Sequence, residues 1–194
     1  GPWGHSDSAA YLAAARSLAR GEGLGFPDPE GNFRVLVHYP PLYPLLLAVF
    51  YLAGGDLVAV PRWLAVFFYA GTIFGAGYGF IRFSRFPWLS ALAALLTAAF
   101  PMAVCMSHAA MSEPLFLFLW VWAGYALLAA LRDGRGAGLV AAALLAGLLP
   151  LARYIGLAFL PAGAAAILWL SVGERRGRLG RALLFGGLAC LPTL

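Results

Sequence analysis

Three ionisable side chains stand where chemistry could be done on a bound substrate: Asp7, Glu113 and Arg153. Asp7 lies in Ser6-Asp7-Ser8, which opens a helical stretch running to about Arg20. Tyr11, four residues on, shares its helix face. A carboxylate so placed can accept the proton of an incoming hydroxyl or amine, the work of a general base. The same position also suits a carboxylate that caps the helix start and complements its positive end. Glu113 stands in Met111-Ser112-Glu113-Pro114, directly before an apolar run whose first turn Pro114 fits. It too reads either as a cap or as a second acid. Arg153 follows Pro150 in Leu149-Pro150-Leu151-Ala152-Arg153-Tyr154. Its guanidinium suits charge-assisted, bidentate capture of a phosphate, and it equally suits snorkelling to a membrane surface.

Other chemistries find no support in the residue pattern. His5, His38 and His108 share no metal-ligand spacing, so no metal or other cofactor is expected. Cys105 and Cys190 both fall inside apolar segments and form no Cys-x-x-Cys pair. There is no phosphate-cradling glycine loop and no nucleophile elbow.

The elements that must position these groups belong to a membrane protein. Of 194 residues, 62% are hydrophobic and 11% are charged, where a soluble domain carries about 25% charged residues. The 14 Phe, 8 Tyr and 6 Trp suit an apolar solvent and its interfaces. The net charge of +5 is carried by scattered Arg residues rather than by one basic face, so no nucleic-acid partner is expected. Residues 1–40 are the most polar stretch and contain Pro27, Pro29, Gly31 and Pro40, which predicts an external loop carrying a short interfacial helix. Pro41 to Gly54 is apolar but shorter than the roughly 17–25 residues of a spanning helix, so an interfacial or re-entrant segment is expected. Apolar runs follow near 61–81, 88–106, 114–131, 137–152 and 154–172, and another begins near 182. The expected organisation is one partial transmembrane domain over 1–194, with the external loop in 1–60 and the transmembrane helices in 61–194.

Arg placement orients this bundle. Arg82, Arg85, Arg132, Arg135, Arg175, Arg176, Arg178 and Arg181 fall in connectors that alternate crossings bring to one side, whose formal charge is +6. The opposite side carries Arg16, Arg20, Arg34, Arg62 and Arg153 with six acids, and sums to −1. Loop Arg excess marks the cytoplasmic side. Asp7, Glu113, Arg62, Arg153 and the three His therefore gather on the outer face, and ionisable groups at a membrane edge are functional candidates.

The segments Trp3-Gly4-His5-Ser6-Asp7-Ser8-Ala9-Ala10-Tyr11, His38-Tyr39-Pro40-Pro41-Leu42-Tyr43-Pro44 and Ser112-Glu113-Pro114-Leu115-Phe116 resemble, in this order, the opening of GT-C superfamily membrane glycosyltransferases. The branch they are most similar to includes bacterial relatives of protein O-mannosyltransferases, lipid A aminoarabinose transferases and Rgt-type lipopolysaccharide glycosyltransferases. The resemblance implies an all-α GT-C-like transmembrane bundle in the bacterial inner membrane. It also implies a helix before Gly1 and further helices after Leu194. A polyprenyl-phosphate-linked sugar would be the donor, and a lipid, glycan or protein of the cell envelope the acceptor.

Carried over by motif, Asp7 matches the family's first-loop catalytic acid and Glu113 a second acidic position. Arg153 is a looser match for a cation meeting the lipid phosphate, with Arg62 beside it in that role. Tyr11, His38, Tyr39, Pro40, Pro41, Tyr43 and His108 would line the substrate cavity. Some members carry a paired Asp-Glu where this chain has Asp7-Ser8, a departure that bears on the acceptor and the base. A second reading is a transporter or flippase-like protein whose outer charges line a substrate path. That reading expects charges near helix midpoints, whereas here the acids cluster at helix ends and in one loop.

Overall fold

The computed structural model describes residues 6–28, 30, 32–100, 109–134, 136–171 and 175–193. Those residues form an all-α membrane protein with a single two-stranded hairpin, as the composition leads one to expect. The chain divides into two compact units, 1–117 and 118–194.

In the first unit, α1 (Ser6–Ala19) turns Ser8, Tyr11, Leu12 and Ala15 inward and leaves Arg16 exposed. It ends where Gly21 adopts a φ of 75°, which a residue with a Cβ adopts only with strain. The Gly21 and Glu22 amides donate back to the Leu18 and Ser17 carbonyls, closing the helix end. The chain then forms β1 (Gly25–Pro27) and β2 (Phe33–Val35), an antiparallel hairpin in which Phe26 faces Arg34. The turn formers of this stretch predict an external loop, and the structure adds a short hairpin within it. Three-residue strands are too short to show an alternating pattern, and the hairpin is held instead by the Asp28 side chain. Its carboxylate accepts the Glu30 and Asn32 amides at 3.0 and 2.8 Å and the Arg34 guanidinium at 3.0 Å.

α2 (Leu42–Leu52) has 11 residues, about 16 Å, and does not reach across a bilayer. Tyr43, Pro44, Leu47 and Ala48 pack inward, towards α1, while Leu45, Val49 and Leu52 face out. The side chain of Asp56 accepts the Ala59 amide at the start of α3 (Ala59–Phe83). α3 packs on α4 (Trp88–Ala98), and the Tyr69 hydroxyl donates to the Thr97 and Ala98 carbonyls at the α4 C-terminus. The predicted run 88–106 is helical to Ala98, and its part from 101 onward, with Cys105, lies outside the described residues.

α5 (Glu113–Asp133) begins in the first unit and runs into the second, which continues with α6 (Gly136–Ala152), α7 (Phe159–Leu170) and α8 (Arg175–Cys190). α6 and α7 both pack on α8 through small residues. Gly147 sits so close to the Ala189 carbonyl that a Cβ there would collide with it, and Ala142, Ala143 and Ala146 are fully buried beside it. α3 and α5 are long and apolar enough to cross a membrane, and only 39% of the most apolar window of each is buried. Trp63, Phe67, Phe74, Tyr78 and Ile81 on α3 accordingly point outward, which hydrocarbon accepts and water does not. α6 has 17 residues and the stretch Tyr154–Leu170 is similarly short, so among the described residues these apolar helices meet the bilayer at the lower limit of spanning length.

Candidate active site

In the first unit, described residues of the three motif segments meet on α1 at Asp7 and Tyr11. Asp7 sits in the first turn of α1 and is half-buried. The Tyr39 hydroxyl, 32 positions away in sequence, donates to its Oδ1 at 2.7 Å. That bond keeps the phenol protonated: sharing its proton with the Asp7 carboxylate, with burial adding to the effect, pushes Tyr39 up to about 12.

Tyr11 is the centre of the cluster. Its ring lies 5.1 Å from Tyr39, tilted, and 5.2 Å from Tyr43, edge-on. Its hydroxyl is 3.1 Å from the Ser112 Oγ. Glu113 follows Ser112 at the start of α5 and is close enough to help push the Tyr43 phenol upward, although burial is the larger cause. Pro40 and Pro41 join Tyr39 to Tyr43, and the Pro41 carbonyl accepts the Leu45 amide in the first turn of α2.

Burial separates the predicted cavity residues. Tyr11 and Tyr43 are 4% and 2% exposed, whereas Tyr39 is half-buried and His38 exposed. Tyr43 Oη and Ser8 Oγ are buried without a hydrogen-bond partner in the described residues. Arg62 is exposed in the first turn of α3. Arg153 belongs to the second unit, where α6 ends after Pro150 and the backbone at 153 turns extended before a 3-10 helix at Tyr154–Ala158. His5 and His108 lie outside the described residues. Among the described residues no three His, Cys, Asp or Glu side chains are grouped as a metal site would need.

The Tyr39–Asp7 contact was not predicted. Spacing on α1 pairs Asp7 with Tyr11, and the motif that carries Tyr39 points to the same region without assigning it a bond to Asp7. The arrangement can orient a carboxylate and hold that orientation against packed aromatic rings.

No curated protein and no solved structure matches this chain. The family model described as dolichyl-phosphate-mannose-protein mannosyltransferase matches residues 38–194, a span that takes in His38-Tyr39-Pro40-Pro41 and Ser112-Glu113-Pro114 and begins after Asp7. With most of its length so matched and its apolar helices in place, the chain belongs to the dolichyl-phosphate-mannose-protein mannosyltransferase family, membrane-integral glycosyltransferases of GT-C type.

Proposed function

We propose that this glycosyltransferase moves a sugar from a polyprenyl-phosphate-linked donor to an acceptor on the non-cytoplasmic face of the membrane, with Asp7 as general base. The observation that supports this reading is the Tyr39 hydroxyl on the Asp7 carboxylate at 2.7 Å, with Tyr11, on the same helix as Asp7, packed on Tyr39 and 3.1 Å from the Ser112 hydroxyl. The Asp7 carboxylate takes the proton of the acceptor hydroxyl or amine as that atom attacks the anomeric carbon. The bond from the anomeric carbon to the phosphate oxygen breaks as the new bond forms. Polyprenyl phosphate leaves with the electron pair, and the configuration inverts. Glu113 orients the acceptor or supports Asp7. On charge and expected outer-face position, Arg62 and Arg153 are the candidates to neutralise the departing phosphate.

The test compares the full-length protein with its Asp7→Asn variant in membranes supplied with radiolabelled polyprenyl-phosphate mannose. Loss of a proton acceptor predicts transfer slowed about 10²–10⁴-fold, and equal transfer by both proteins would remove Asp7 from the chemistry. Orientation is checked with Asp7→Cys and Arg176→Cys in intact cells: an impermeant thiol reagent should label position 7 only, and labelling of both would refute the topology.

A further inference from the structure

We propose that Tyr39 is the positioning residue of this transferase, holding the Asp7 carboxylate in the orientation from which it takes the acceptor's proton. The inference rests on the reading of Asp7 as the base and adds the group that aims it.

A carboxylate that rotates about its side-chain torsions loses the alignment on which proton transfer depends. Here the Tyr39 Oη to Asp7 Oδ1 distance is 2.7 Å, in the range of hydrogen bonds to an ionised acceptor. The donor is itself held at both ends. Pro40 restricts the backbone of Tyr39 to extended conformations, and Pro41 leads directly into α2. The ring packs on Tyr11 at 5.1 Å, and Tyr11 is in turn tied to Ser112 at 3.1 Å and flanked by Tyr43. The carboxylate is thus braced against a buried aromatic cluster rather than against a mobile surface side chain. Tyr39 acts only as a donor, because its proton is held up to about 12 and stays on the phenol at any working pH. It therefore orients the base without competing for the acceptor's proton.

The experiment measures transfer from radiolabelled polyprenyl-phosphate mannose by the full-length protein in membranes, for Tyr39→Phe, Asp7→Asn, Asp7→Glu and the Asp7→Glu/Tyr39→Phe double variant. Tyr39→Phe keeps the ring on Tyr11, so its unfolding temperature in detergent should match wild type. Its kcat is expected to fall about tenfold with donor KM within about twofold, the mark of an interaction used in the transition state. With the carboxylate already displaced in Asp7→Glu, removing the Tyr39 hydroxyl should cost less than about twofold more. A full tenfold loss in that background, a raised KM with kcat kept, or wild-type kinetics for Tyr39→Phe would each overturn the positioning role. Wild-type rates for Asp7→Asn would overturn the base itself. An inactive Asp7→Asn beside a fully active Tyr39→Phe would overturn only the inference drawn here.

Discussion

The hydroxyls of Tyr11 and Ser112 lie 3.1 Å apart although 101 positions separate them in the chain. Both side chains are buried, at 4% and 2% exposed, so the contact ties α1 to the residues that lead into α5. Through it the segment carrying Asp7 and the segment carrying Glu113 are fixed to one another. A buried neutral hydrogen bond contributes about 1 kcal/mol. Tyr11→Phe and Ser112→Ala should each lower stability by about that amount in detergent unfolding of the full-length protein. Because both remove the same bond, the double variant should lose about 1 rather than about 2 kcal/mol. Additive losses would mean that the two hydroxyls do not depend on each other.

Tyr43 responds in the opposite direction. Its hydroxyl is buried and unpartnered, which costs about 1–3 kcal/mol relative to a satisfied group. Tyr43→Phe keeps the edge-on contact with Tyr11 and deletes only that hydroxyl. The same unfolding measurement should show stability unchanged or raised by about 1 kcal/mol. A clear loss would show that the hydroxyl has a partner in the folded protein.

These opposite outcomes mark what the sequence could and could not disclose. Hydropathy alone located α3, α5 and α6 to within a few residues and recognised 41–54 as too short to span, because lipid imposes one requirement on every residue of a crossing. The ordered motifs indicated that Asp7, Tyr39 and Glu113 belong to one region. They did not say that Tyr11 and Tyr43 would be buried while Tyr39 reaches the carboxylate. Periodicity reports faces of a single helix, and this contact is made across a hairpin and a Pro-Pro turn. The hairpin was missed for a related reason: a five-residue turn clamped by one aspartate leaves no trace in a hydrophobic pattern.

That clamp gives the hairpin an acid limit. Asp28 is held below its ordinary value of 3.8, chiefly by the Asn32 amide; desolvation opposes the shift, and Arg34 and the Glu30 amide add to the lowering. A carboxyl lowered on folding contributes stability that is present above its unfolded value and lost as pH falls through its folded one. Protection of the Asp28, Glu30, Asn32 and Leu36 amides, corrected for intrinsic exchange, should therefore hold from neutrality to about pH 4 and fall below it. In Asp28→Asn it should already be weak at pH 7. Protection that is independent of pH down to 2 would assign the hairpin's order to something other than this carboxylate.

Arg181 illustrates a charge with a second role. By sequence it is one of eight loop arginines that mark the cytoplasmic side, yet its guanidinium donates to the Ala130 carbonyl at 2.7 Å, in the last turn of α5. The negative end of a helix favours a cation there, and a part-buried charged hydrogen bond gains more than an exposed one. Arg178 makes the weaker version of the contact: its bond to the Leu168 carbonyl near the end of α7 is 3.1 Å long and exposed, although the side chain is half-buried. Arg181→Gln should therefore destabilise the protein by about 1–2 kcal/mol and Arg178→Gln by less than about 1 kcal/mol. The two substitutions remove the same charge from the same connector, so any effect on membrane orientation should be equal. A difference in stability that vanishes, or reverses, in parallel detergent unfolding would show that Arg181 acts through charge alone and not through the α5 carbonyl.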